Sequence, residues 1–214
     1  MIGVYGGTFD PVHFGHLRTA LEVFQDFCLE ELKLIPCRLP AHRDQPGASA
    51  EHRCAMLTLA ITDCSGLAVD RRELERDGPS YMVDTLASIR AEIGDQPLAL
   101  FIGGDAFLSL TYWHRWRALF DYAHIIVMTR PGYSEPELNH FFYSRRCTDV
   151  QRLTTQPSGQ LCFHPVTALD ISASKIREAI AKGQNPKFLT ADKVLAYIDE
   201  QALYRYAQAG QNPA

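Results

Sequence analysis

No run in the 214 residues approaches the ~18 consecutive apolar positions a membrane-spanning helix requires. The opening residues Met1-Ile2-Gly3-Val4-Tyr5 lack the basic segment that begins a secretory signal, so a cytoplasmic protein without membrane contact is expected. Basic charge is also in short supply. Lys+Arg number 21 against 25 Asp+Glu, a formal charge of −4, which excludes a broad cationic footprint for a nucleic-acid polymer. Any recognition of phosphate is therefore confined to a site. Cys28, Cys37, Cys54, Cys64, Cys147 and Cys162 include no C-x-x-C pair and no regular interval. Reduced thiols packed as small apolar groups are expected, rather than a zinc or disulfide framework. There is no internal repeat and no low-complexity tract. What remains is globular: 46% hydrophobic and 21% charged, in a chain long enough to bury a sizeable core.

Hydrophobic periodicity alternates between strand and helix. Residues 2–5 form a short apolar run that stops at Gly6-Gly7, followed by a loop to Gly15 and then a helical pattern. On that helix Leu17, Leu21, Phe24 and Phe27 with Cys28 form the apolar stripe, opposite Arg18, Glu22, Gln25 and Asp26. Further strands are predicted at 32–35, 67–69, 98–102, 125–128 and 161–166. Ser49 caps a helix with Cys54, Leu57, Ile61 and Cys64 on its buried face, and other helices are predicted at 80–93, 135–146, 174–182 and 190–201. This order implies a Rossmann-like, doubly wound α/β fold: a mostly parallel sheet, helices on both faces joined by right-handed crossovers, and a C-terminal helical segment. A single domain over 1–214 is expected.

Two segments carry chemistry. Gly6-Gly7-Thr8-Phe9-Asp10-Pro11-Val12-His13-Phe14-Gly15-His16 lies between the first strand and the first helix. A helix N-terminus at the carboxyl end of a parallel strand offers free N–H groups and a partial positive charge to an anion. Gly6 and Gly7 allow close backbone approach, and His13 and His16, three apart, can aim two ring N–H groups the same way. The segment is neither a G-x-G-x-x-G turn nor a Walker A loop, whose Lys-Ser/Thr end is missing. The bland alternative is a turn whose histidines cap or pack. A zinc site at His13 and His16 lacks a further ligand at suitable spacing. The second segment, Ser172-Ala173-Ser174-Lys175-Ile176-Arg177, opens a helix with two hydroxyl capping candidates and puts Arg177 in its first turn. Its alternative is an ordinary N-cap with a solvated arginine. Asp105 follows a strand and two glycines, where a carboxylate can accept from ribose hydroxyls or close an Asx turn.

The first segment matches the signature of the nucleotidyltransferase superfamily with the H-x-G-H motif, and the chain resembles its bacterial nicotinate mononucleotide adenylyltransferase branch. Pro36-Cys37-Arg38-Leu39-Pro40-Ala41-His42-Arg43 is similar to that family's Pro-x-x-x-Pro-Pro-His-Lys loop. The run Glu73-Leu74-x-Arg76-x-Gly78-x-Ser80-Tyr81-x-x-Asp84-Thr85-Leu86 is similar to its substrate-binding segment. Phe101-Ile102-Gly103-Gly104-Asp105, Trp113, Trp116, Arg130-Pro131-Gly132 and Ile171-Ser172-x-Ser174-x-Ile176-Arg177 follow in the family's order. Departures are Ala41 for the second proline, Arg43 for lysine, Ala173 for serine and Ser174 for threonine; Arg43 exchanges a point donor for a planar fork.

The resemblance implies adenylyl transfer from ATP to nicotinate mononucleotide, with His13, His16 and Arg177 as catalytic groups. It puts Gly6, Gly7, Thr8, Phe9, Asp10, Arg43, Asp105, Ser172 and Ser174 at ATP, and Thr85, Leu86, Gly104 and Trp113 at the mononucleotide. Trp113 is suited to stacking on a pyridine ring, whereas Trp116, with Leu119 and Phe120, reads as core. Mg²⁺ is expected to arrive with ATP, with no protein ligands of its own. The chain is expected to act as a monomer or small homo-oligomer. The alternatives are another H-x-G-H enzyme, such as a pantetheine-phosphate adenylyltransferase or a cytidylyltransferase, and a nucleotide-sensing module without turnover.

Overall fold

The computed structural model describes residues 1–39, 45–130 and 132–205. In chain order the elements are β1 (Ile2–Gly7), α1 (Phe14–Asp26), β2 (Glu31–Pro36), α2 (Ala50–Ile61), β3 (Leu67–Val69), α3 (Arg72–Glu75), α4 (Met82–Ile93), β4 (Leu98–Gly103), α5 (Gly104–Leu108), α6 (Leu119–Tyr122), β5 (His124–Thr129), α7 (His140–Tyr143), α8 (Arg152–Thr155), β6 (Leu161–Pro165), α9 (Ala173–Ala181) and α10 (Asp192–Glu200). The six strands form one sheet in the order β3-β2-β1-β4-β5-β6. Every pairing is parallel. The order reverses between β1 and β4, which is where such sheets open a crevice at their carboxyl edge.

Successive strand residues point to opposite faces, and the two faces build separate cores. Leu98, Leu100 and Ile102 of β4 join Val83, Leu86 and Ile89 of α4 on one side. Ala99 and Phe101 join Ala20 and Val23 of α1, Met56 and Leu57 of α2, and Val194 and Ile198 of α10 on the other. Strands buried on both faces read as continuous apolar runs, which is why residues 98–102 and 125–128 were legible as strands.

Three expectations change. On α1 the deepest residues are Thr19, Ala20 and Val23, one position round from the predicted stripe. Small side chains let that face approach the sheet, and the Thr19 hydroxyl is satisfied by the Gly15 carbonyl at 2.9 Å. The helix predicted over 135–146 shortens to α7, because Asn139 caps it by accepting from the Phe142 amide at 3.1 Å. Phe141 and Phe142 then pack on Trp116, which is partly buried against the core rather than within it. Of the cysteines, Cys54, Cys147 and Cys162 are buried, whereas Cys28 is exposed.

Arg53 was not anticipated. It is 1% exposed on α2, with no ion-pair partner among the described residues. Its guanidinium donates to the carbonyls of Thr8 at 2.7 Å, Cys37 at 2.7 Å, and Ala48 and Arg38 at 3.2 Å. One buried cation thereby ties the loop after β1 to the loop after β2. Its spacing of four from Leu57 put it on the buried stripe. Arg53→Met fills a similar volume but leaves those carbonyls without donors. Chemical denaturation should show stability lowered by about 2–4 kcal/mol. A loss below about 0.5 kcal/mol, the scale of an ordinary surface change, would contradict the clamp.

Candidate active site

A cavity of about 1340 Å³ opens at the carboxyl ends of β1 and β4. Gly6, Gly7, Thr8, Phe9, Asp10, His13, His16, Gly104, Asp105, Ser172, Ser174 and Arg177 all line it, so both segments singled out in the sequence face one space. Thr85, Leu86 and Trp113 do not line it. Arg43 lies outside the described residues.

The first turn is shaped by close packing. Phe9 is 2% exposed and has φ 50, a left-handed backbone that a bulky residue adopts only when its surroundings over-determine it. Its ring meets the His16 ring edge-on at 5.1 Å, and a Cβ on Gly7 would lie 2.9 Å from it. His13 is the residue before α1 and makes no side-chain cap, which removes the capping alternative. Its ring stacks on His16 with centroids 3.8 Å apart, and a Cβ on Gly15 would sit 3.0 Å from it. The glycine of H-x-G-H is thus closely packed, since a side chain at position 15 would press the stacked His13 ring aside by a few tenths of an ångström. His13 is 6% exposed, its Nδ1 has no hydrogen-bond partner among the described residues, and burial lowers its pKa to about 4. At neutral pH it is an uncharged ring with a polar atom left for a ligand to satisfy.

The second turn meets the first through Arg177. Ser172 caps α9 by accepting from the Lys175 amide at 3.2 Å, and Ser174 accepts from Arg177 Nη2 at 3.4 Å. Arg177 Nη1 donates to the Asp10 carbonyl at 2.7 Å. The Asp10 carboxylate is therefore no free ligand: it accepts from the Gly47 amide at 2.7 Å, the Ala48 amide at 3.1 Å and the Tyr204 hydroxyl at 2.8 Å. Asp105, in contrast, is exposed at the start of α5. Beside it, a Cβ on Gly104 would meet the Tyr133 ring at 2.8 Å.

On the other side of β1, the polar groups of the predicted mononucleotide segment bind each other. The Thr85 hydroxyl donates to buried Glu73 at 2.6 Å, and its amide points to the Tyr81 carbonyl at 3.3 Å. Burial raises the Glu73 pKa. Leu86 is fully buried in the core. These two residues hold the start of α4, and the Thr85 hydroxyl also accepts from Arg76 Nη2 at 3.0 Å. Trp113 is partly exposed. Arg38 links this segment to the loop after β2 through the Arg76 carbonyl and Asp77, both at 2.8 Å. Tyr204 and Gly47 left no sequence signal, because their part depends on contacts distant in the chain.

Comparisons with known proteins give the chain a family. A cytidylyltransferase-like family model matches residues 4–179. The chain is 51% identical over 208 residues to a protein of Methylococcus capsulatus named "Probable nicotinate-nucleotide adenylyltransferase", covering 95% of this chain and 99% of that protein. It is 46% identical over 206 residues to a protein of the same name from Acidithiobacillus ferrooxidans, covering 94% of each. Among solved structures, it resembles the nicotinic acid mononucleotide adenylyltransferase of Plasmodium falciparum complexed with NaAD, with a TM-score of 0.72 at 18% identity, covering 95% of this chain and 96% of that one. At that identity the likeness is one of fold.

The buried His13 gives a pH prediction. Its folded pKa near 4 lies below the ordinary 6.5, so between those values the unfolded chain binds a proton that the folded chain does not. This group's effect on stability is flat above about 6.5, and stability then declines as pH falls toward about 4. An imidazole resonance assigned by its loss in His13→Gln should titrate near 4 in the free protein. A midpoint near 6.5 would contradict the burial argument.

Proposed function

The chain belongs to the cytidylyltransferase-like family and, within it, to the nicotinate-nucleotide adenylyltransferases; from that premise we propose that it acts as a single domain joining ATP and nicotinate mononucleotide into nicotinate adenine dinucleotide, with release of pyrophosphate, in NAD biosynthesis. The observation that carries this reading is the common cavity, with a helix start bearing two histidines on one side and a second helix start bearing Ser172, Ser174 and Arg177 on the other. Hydrogen-bond donors gathered around one space suit a polyphosphate.

The chemistry needs no general base. The second pKa of a phosphate monoester is near 6, so the mononucleotide's 5′-phosphate is already ionised at neutral pH. One of its oxygens attacks the α-phosphorus in line while the bond to the β-phosphate oxygen breaks and pyrophosphate departs. The chain's part is positioning and neutralising charge. His13 and His16 donate to the α- and β-phosphate oxygens, and Arg177 with the Ser174 hydroxyl holds the leaving end. The backbone of residues 6–10 lies along the phosphates. Asp105 accepts from ribose hydroxyls, Gly104 leaves space beside it, and Trp113 stacks on the pyridine ring. The Asp10 carboxylate is occupied by protein donors, so we assign Mg²⁺ to the phosphate oxygens of its substrate, MgATP.

Protein mixed with MgATP and nicotinate mononucleotide should release pyrophosphate. ATP binding without release would favour a nucleotide-sensing module, and release only with another phosphate acceptor would favour a sister enzyme. His16→Ala should lower kcat by about 10²-fold, the scale of losing one preorganised donor, and unchanged turnover would refute its role. Trp113→Ala should raise KM for the mononucleotide more than for ATP. Equal effects on both would count against the stacking assignment.

A further inference from the structure

Asp10 and Arg177 form a loose ion pair that stops short of a hydrogen bond to the carboxylate. Arg177 Nη1 is 2.7 Å from the Asp10 carbonyl but 3.5 Å from the carboxylate Oδ2, and its side chain stays 33% exposed over the cavity. An isolated, nearly buried carboxylate would draw a guanidinium into a bidentate pair. Here three neutral donors occupy its lone pairs: Gly47 N–H at 2.7 Å on Oδ2, and Ala48 N–H at 3.1 Å and the Tyr204 hydroxyl at 2.8 Å on Oδ1. Tyr204 is the only side chain among the three. Burial and the Asp10 charge push its hydroxyl far above the ordinary 10, so it remains a donor throughout the working pH range. Its backbone has φ 61, the left-handed region that a tyrosine adopts only under tertiary constraint. The packing points the same way. A Cβ on Gly47 would lie 3.2 Å from Arg177 Cδ and 3.3 Å from two atoms of the Tyr204 ring, so the Gly47 backbone sits against the arginine stem and the tyrosine face together.

We propose that Tyr204, near the carboxyl end of the chain, is a positioning residue for the ATP phosphate site that acts through Asp10. By holding Oδ1, its hydroxyl keeps the carboxylate from collapsing onto Arg177 and leaves the guanidinium available to phosphate. The inference rests on the cavity being a nucleotide site. It adds a distant residue whose effect is selective for one of two substrates.

The test is Tyr204→Phe in the full chain, which keeps the ring and removes only the hydroxyl. Wild-type turnover is measured first, so that failure of the functional reading shows itself as absence of pyrophosphate. Affinity for an uncleavable ATP analogue tests the inference separately. The variant should bind the analogue about 5-fold or more weakly and raise KM for ATP by the same factor, with KM for the mononucleotide within about 2-fold. In an Asp10→Asn background, where no carboxylate charge competes for Arg177, the same substitution should leave ATP affinity unchanged. Gly47→Ala, whose added methyl would press on both the Tyr204 ring and the arginine stem, should reproduce the ATP-selective loss if Tyr204→Phe folds poorly. A lower Tm with unchanged affinities, equal losses for both substrates, or an undiminished effect in the Asp10→Asn background would each overturn the proposal.

Discussion

The contact between Arg177 and the Asp10 carbonyl joins turns 167 residues apart in the chain, and the site depends on that junction. Neither turn is unusual alone: one follows the first strand of a parallel sheet, the other opens a short helix near the carboxyl end. Their convergence gathers the polar groups of both turns around one cavity. The C-terminal segment is closed back by further links. The Thr190 hydroxyl donates to the Val12 carbonyl at 2.7 Å, and the Phe14 amide to the Leu189 carbonyl at 3.0 Å. The backbone leading into α1 is therefore fixed at both its start and its end by residues from the far part of the chain.

Electrostatics inside this frame favour donors over fixed charge. His13 is held neutral by burial and stacked on His16, so it brings a polar ring rather than a cation to the cavity. Arg53 is a full cation, but its donors are directed at the backbone carbonyls of the two loops. Among the described residues the cavity is lined by the guanidinium groups of Arg130 and Arg177 and by the carboxylates of Asp105 and of Asp10, the last shared by three donors. Such an arrangement suits a reaction in which charge shifts among phosphate oxygens without a proton transfer to the protein.

Much of the fold was legible because its signals are local. Gly6-Gly7 after an apolar run, Ser49 and Ser172 as caps, and the continuous apolar strands 98–102 and 125–128 each report on the few residues around them. The stripe of α1 was misplaced because burial there is decided by how closely Thr19 and Ala20 approach the sheet, a tertiary matter. The helix over 135–146 was overextended because the Asn139 cap competes locally with helix propagation. At the site, the two turns that line the cavity were visible in the residue types. The partners of Asp10 and Arg53, and the engagement of Thr85 by Glu73, depend on contacts between distant segments that periodicity does not encode.

The central claim is that both turns grip one polyphosphate, and a crystal structure with an uncleavable ATP analogue tests it most directly. The account predicts a His16 ring nitrogen and the Arg177 guanidinium within about 3.2 Å of oxygens on the same triphosphate. A triphosphate held by one turn alone, with the other facing bulk solvent, would contradict it.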